Sequence, residues 1–231
     1  MAFDPSKYTV AKARPLPVIL MLDRSGSMGG DKISTLNSAV NEMIQSFKTA
    51  GQGEVEINLG IISFGDGGAT YDLPLQPVAD ITGIALNASG GTPMGMALKM
   101  AKDLIEDKEI IPSKGYRPAV VLVSDGEPND SWQRPMDNFI SGGRSSKCER
   151  FAMAIGTSQE DPVLNRFLSG TENKVFLASD ADKIRDFFKF VTMSVSVRSR
   201  SQNPNALLPA ASNPASSTAI EDMAKEFGID L

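Results

Sequence analysis

Two short runs of purely apolar residues constrain the fold of this chain most strongly. Val18–Leu22 and Ala119–Val123 contain no polar side chain. A strand formed by either run must therefore be buried on both faces, which is typical of a parallel sheet covered by helices on each side. We expect an α/β protein.

The segments between these runs carry the 3.6-residue period of amphipathic helices. Apolar residues recur at that spacing after Ile33, Met94 and Ile184, and shorter helices are predicted over 134–140 and 163–168. Further strands are predicted over 57–64, 70–75, 151–155 and 175–177. This alternation predicts a Rossmann-like, mainly parallel sheet flanked by helices on both faces.

The composition divides the chain into four parts. We expect an N-terminal extension over 1–14, one α/β domain over 15–198, a flexible linker rich in Ser, Asn, Pro and Ala over 199–217, and a short amphipathic helix or tail over 218–231. The tail opens with the capping-box pattern Thr218–Glu221. It is either a docking peptide or a helix that folds back onto its own domain.

Composition also limits the chemistry and the compartment. The chain has no histidine and one cysteine, which excludes Ser-His-Asp and Cys-His nucleophile systems, Cys/His zinc sites and an intrachain disulfide. A net charge of −5 with no basic cluster gives nucleic-acid binding no support. The N-terminus lacks the apolar core of a signal peptide and no apolar run has bilayer length, so we expect no membrane insertion and a cytoplasmic location.

Polar residues follow the predicted strands where ligand sites form in parallel sheets. The first strand runs into Asp23-Arg-Ser25-Gly-Ser27, a later one into Ser124-Asp125, and Gly90-Gly-Thr92-Pro93 precedes a helix. Two carboxylates and three hydroxyls are thus predicted at one edge of the sheet. Oxygen ligands alone suit a hard cation such as Mg²⁺ or Mn²⁺.

Each of these segments also has a simpler interpretation. Ser25 or Ser27 can cap the following helix, Thr92 can be the N-cap before Pro93, and Asp125-Gly can be a turn. The metal interpretation is favoured because the simpler ones require three independent coincidences at the same edge.

The set Asp23-x-Ser25-x-Ser27 with Thr92 and Asp125 resembles the metal-ion-dependent adhesion site (MIDAS) of a von Willebrand factor type A (vWA) domain, over about residues 16–198. The resemblance implies that the three hydroxyls bind a cation and that the two carboxylates bind it directly or through water. Mg²⁺ is expected, with Mn²⁺ or Ca²⁺ as alternatives. A Glu or Asp of a partner protein would complete the coordination.

Within that family, Ser124–Trp132 and Gly90–Pro93 are similar to the bacterial TerY-like group. This implies a tellurite-resistance, stress-response or defence setting, with a protein kinase or a PP2C-like phosphatase as partner. A rim for partner binding is expected from Arg24, Met28, Glu127, Asn129 and Trp132. Trp132 is either an exposed anchor or a ring packed beneath its loop.

The resulting prediction is a non-enzymatic adaptor. One alternative is a Mg²⁺-dependent phosphohydrolase or phosphotransferase that uses Asp23 or Asp125, although no second Asp stands two positions after Asp23. Another is a vWA subunit of a chelatase-like AAA+ complex. Cys148 is expected to be inert and Asp66 to be a turn residue.

Overall fold

The computed structural model describes residues 14–50, 55–156, 161–200 and 205. Strands and helices alternate as the hydrophobic pattern predicts. The strands are β1 (Pro15–Asp23), β2 (Glu56–Gly65), β3 (Gly68–Pro77), β4 (Ala119–Ser124), β5 (Glu149–Ile155) and β6 (Phe176–Ala178). The helices are α1 (Asp31–Ala50), α2 (Met94–Glu106), α3 (Gln133–Ser141), α4 (Pro162–Phe167) and α5 (Ala181–Arg200).

The six strands form one sheet in the order β3-β2-β1-β4-β5-β6. All neighbours are parallel except β2 and β3, which form an antiparallel hairpin. Asp66 and Gly67 make its two-residue turn, both with positive φ (48° and 78°), which right-twisted hairpins favour. The prediction of a mainly parallel α/β sheet is confirmed, and Asp66 lies in a turn as expected.

Alternate residues of β1 point into two separate cores. Leu20 packs in a cluster with Val40 of α1 and Val191 of α5. Ile19 packs in the other cluster, with Leu98 of α2. Helices therefore cover both faces of the sheet, and this double burial is the reason why β1 contains no polar side chain before Asp23.

The described elements run from Pro15 to Arg200. Ser199 and Arg200 are the last residues of α5 rather than the first of the linker predicted over 199–217, because Arg198 and Ser199 are buried and Arg198 pairs with Glu149 of β5. The remainder of that linker except residue 205, the tail over 218–231 and residues 1–13 lie outside the described residues. Within the described part of the chain, no helix is long and apolar enough to cross a membrane.

The sheet order reverses between β1 and β4, the point where parallel sheets open a crevice for ligands. The register pairs Leu22 of β1 with Val123 of β4. The next residues, Asp23 and Ser124, are consequently neighbours at the carboxyl edge of the sheet.

Candidate metal site

Asp23, the last residue of β1, is completely buried and holds two hydrogen bonds. Its Oδ1 accepts from the backbone N–H of Ser25 at 2.8 Å, and its Oδ2 accepts from the Ser124 hydroxyl at 2.6 Å. Ser124 was not among the predicted site residues, although its place at the end of an apolar strand is the signal that identified Asp125. The carboxylate is thus fixed by the loop that follows β1 and by the neighbouring strand β4.

Hydrogen bonds connect Asp23 with three further predicted ligands, Ser25, Ser27 and Asp125. The hydroxyls of Ser25 and Ser27 are 3.0 Å apart, and the Ser27 hydroxyl donates to Asp125 Oδ1 at 2.7 Å. Lys32, which sequence reasoning missed, contacts Asp125 Oδ2 at 2.5 Å. The structure therefore places Asp23, Ser25, Ser27 and Asp125 in one cluster of oxygen atoms.

Thr92 lies on the loop that precedes α2, and backbone bonds join this loop to the loops on either side of it. The backbone N–H of Gly26 donates to Gly90 of that loop at 2.9 Å. Thr92 itself is buried, and both of its backbone groups bond to Asn129: its N–H to Asn129 Oδ1 at 3.0 Å and its C=O to the Asn129 N–H at 3.1 Å. The Thr92 loop is thereby held between the loops that carry Ser25 and Asp125.

Glycine is required where this loop is most crowded. Gly90 has a φ of +71°, and a Cβ there would lie 2.4 Å from the backbone of Asp66. A Cβ at Gly91 would collide with the amide of Asn129. Glycine is therefore needed at position 90 for close approach to a backbone and at position 91 for close approach to a side chain.

The first turn of α2 is capped from another loop, not by Thr92. The N-cap position is Pro93, with no side-chain cap. Instead Asp130 accepts the backbone N–H groups of Gly95 at 3.0 Å and Met96 at 3.1 Å. The capping interpretation of Thr92 is wrong, and likewise Ser25 makes no side-chain cap to the 3₁₀ turn that it precedes.

The predicted rim is only partly exposed. Glu127 and Asn129 are exposed, while Arg24 is half-buried and donates from Nε to the Ser63 hydroxyl at 3.0 Å. Met28 does not belong to the rim: it is fully buried in the core cluster of α1, because the 3₁₀ turn Gly26–Met28 directs its side chain inward.

Trp132 is half-buried and packs against the core that contains α2 and α3. The guanidinium of Arg166 lies 5.7 Å from the centre of its ring. Trp132 is therefore packed beneath its loop, with one part of its surface accessible.

The donor set fits a hard divalent cation, because the predicted ligands offer only carboxylate and hydroxyl oxygens. Burial raises the pKa of Asp23, hydrogen bonds from Ser124 and Ser25 oppose that shift, and the charge of Asp125 adds to it. Desolvated negative charge of this kind is stabilised by a nearby cation. No group of three or more His, Cys, Asp and Glu side chains that could hold a metal occurs in the described ranges.

Cys148, in contrast, is buried away from these residues. Burial raises the pKa of its thiol to about 12, and its Sγ lies 3.7 Å from the carbonyl of Arg144. These values agree with the expected inert thiol.

The structure is thus an α/β domain with oxygen groups clustered at the switch point of its sheet. A sequence profile of the von Willebrand factor type A domain family matches residues 18–190, and the chain belongs to that family. Domains of this family typically mediate protein–protein interactions and commonly bind a divalent metal at a MIDAS.

Curated relatives resemble the chain over a fraction of their own length. Inter-alpha-trypsin inhibitor heavy chain H4 of Bos taurus is 26% identical over 77% of this chain and 20% of its own. Matrilin-3 of Gallus gallus is 24% identical over 64% of this chain and 33% of its own. The chain therefore spans a fifth to a third of these relatives.

Solved structures share the fold at lower identity. The pilus adhesin SpaC of Lactobacillus rhamnosus GG superposes with a TM-score of 0.65 at 15% identity, over 81% of this chain and 30% of SpaC. A von Willebrand factor type A protein of Catenulispora acidiphila gives 0.59 at 20% identity, over 78% and 42% of the two chains. At these identities the likeness concerns the fold alone.

Proposed function

We propose that this chain is a non-enzymatic adaptor that binds a divalent cation through Asp23, Ser25, Ser27, Thr92 and Asp125, and binds an acidic residue of a partner protein through that cation. The observation that carries the proposal is the hydrogen-bonded run of oxygen atoms from Asp23 to Asp125 across the switch point. Mg²⁺ is the proposed ion.

The geometry supports binding rather than turnover. The buried groups beside Asp23 are hydroxyls bonded to carboxylates, and the chain contains no imidazole to accept a proton. When bound, the cation would supply a Lewis acid that attracts a carboxylate. The residues of the chain would fix its position: Ser124 and Ser25 orient Asp23, while Asn129 and Asp130 hold the Thr92 loop.

The setting of the adaptor follows from the similarity of Gly90–Pro93 and Ser124–Trp132 to the TerY-like group. We propose a cytoplasmic role in a bacterial tellurite-resistance, stress-response or defence system, with a kinase or a PP2C-like phosphatase as partner. The exposed Glu127 and the accessible part of Trp132 border the site and would contact that partner.

The test is retention of partner proteins on the immobilised chain, with Mg²⁺ and with a chelator. Asp23→Ala removes the central carboxylate. Asp80→Ala is the matched control, because Asp80 is an exposed carboxylate that follows the antiparallel β3 and so lies at the opposite edge of the sheet. We expect chelator and Asp23→Ala to abolish retention and Asp80→Ala to preserve it. Retention that survives both treatments would rule out adhesion through a metal.

A further inference from the structure

Lys32 places a positive charge inside the proposed cation site. It lies in the first turn of α1, two positions after Gly30, and its Nζ is 2.5 Å from Asp125 Oδ2. The Asp125 side chain has no exposed surface, whereas Lys32 is about one-third exposed. Asp125 is thus occupied on both oxygens, by Ser27 and by Lys32.

Packing defines the position of this ammonium. Gly156, directly after β5, has no side chain, and a Cβ there would lie 3.0 Å from Lys32 Cε and 3.1 Å from Nζ. The lysine therefore passes across the end of β5 to reach the end of β4. Its ion pair forms between residues 93 positions apart in the chain, which is why no sequence pattern indicated it.

The net charge of the site affects how strongly it binds a cation and a partner carboxylate. The formal charges of Asp23, Asp125 and Lys32 sum to −1, whereas those of the two carboxylates without the lysine sum to −2. A divalent cation brings the natural cluster to +1, and one partner carboxylate then makes it neutral. Without Lys32, the cation alone would make the site neutral and a partner carboxylate would leave an uncompensated negative charge.

We propose that Lys32 acts as an internal counter-charge that weakens cation binding in the absence of a partner and strengthens binding of an acidic partner once the cation is present. Cation and carboxylate then bind cooperatively, each raising the affinity of the other by the same factor. This inference rests on the proposed function, since it concerns the same five ligands. Lys32 is not one of those ligands, because it contributes a positive charge instead of an oxygen atom.

The test measures Mn²⁺ affinity by calorimetry in the natural chain, Lys32→Met and Lys32→Gln, with and without excess acetate. Lys48→Met is the matched control, because Lys48 belongs to the last turn of the same helix. Thermal melts confirm that each variant is folded. Removing the positive charge that pairs with Asp125 is expected to tighten Mn²⁺ binding by about tenfold or more, and acetate is expected to enhance binding in the natural chain and in Lys48→Met but not in the Lys32 variants.

The outcomes separate this inference from the proposed function. Binding of Mn²⁺ with equal affinity by the natural chain and both Lys32 variants would overturn the role of Lys32 and leave the cation site standing. Failure of all variants to bind Mn²⁺, with and without acetate, would overturn both. Tighter binding by the Lys32 variants, with loss of the acetate effect, supports the proposal.

Discussion

The capping of α2 by Asp130 leads to a sharp prediction, because it joins stability to the candidate site. Asp130→Ala removes two charge-assisted hydrogen bonds, to the N–H groups of Gly95 and Met96. Loss of a helix cap costs about 1 kcal/mol, within a range of about 0.5–2 kcal/mol. With two bonds and a carboxylate at the positive end of the helix, we expect a loss of about 1–2 kcal/mol. For a domain of this size the melting temperature should fall by about 2–8 °C.

The same substitution should also weaken cation binding, since the first turn of α2 continues directly from Thr92. Thermal melts and Mn²⁺ titrations measure the two effects. Asp161→Ala is the control, because the Asp161 carboxylate also accepts two backbone N–H groups of a helix, those of Val163 at 2.8 Å and Leu164 at 3.0 Å in α4. It should lower stability by a similar amount and leave Mn²⁺ affinity unchanged. An unaltered melting temperature in Asp130→Ala, or equal loss of Mn²⁺ affinity in both variants, would refute the reasoning.

Two further predictions concern groups outside the site. Burial raises the pKa of Cys148 to about 12, so only about 10⁻⁴ of the thiol is ionised at pH 8. Alkylating reagents should therefore label Cys148 only after the chain unfolds. Rapid labelling of the folded chain would contradict this prediction. Arg198 pairs with Glu149 at 2.6 Å, and both side chains are almost fully buried. Arg198→Ala should lower the free energy of unfolding by about 3–5 kcal/mol, because it leaves a buried carboxylate without its partner charge. Denaturant unfolding measures that loss, and a change below about 1 kcal/mol would show that the pair is solvated.

The sheet was predictable from the sequence because burial on both faces leaves a pattern that is local in the chain. Val18–Leu22 and Ala119–Val123 lie inside β1 and β4, and the observed strands extend the predicted runs by a few residues at most. Asp23 and Asp125 were predicted as site residues for the same reason, since Asp23 follows its run directly and Asp125 follows its run after one residue. The sequence could therefore predict the strands and those residues whose position depends on where a strand ends.

Contacts between residues far apart in the chain leave no such local pattern in the sequence. Ser124 bonds to Asp23 across 101 positions and Lys32 to Asp125 across 93, so their roles depend on sheet register rather than on local spacing. Asp130 has no local sequence signal of a cap, yet it caps a helix that begins 36 positions earlier. Thr92 before Pro93 has the local form of a cap, and tertiary contacts override it.

Met28 shows the opposite error, in which proximity in the sequence suggested exposure. It follows Ser27 by one position, so a place on the rim seemed natural. The 3₁₀ turn rotates successive side chains by about 120°, which leaves Ser27 at the surface and buries Met28 in the α1 core. In a tight turn, the exposure of one side chain therefore does not predict the exposure of the next.

The central claim is that the oxygen atoms gathered at the ends of β1 and β4 hold a divalent cation. Titration of Mn²⁺ followed by electron paramagnetic resonance tests it most directly, because the signal of the free ion falls as the ion is bound. We expect the natural chain to bind one ion and Asp23→Asn, which keeps the shape but removes the charge, to bind none. Equal binding by Asp23→Asn, or no loss of the free-ion signal with the natural chain, would contradict it.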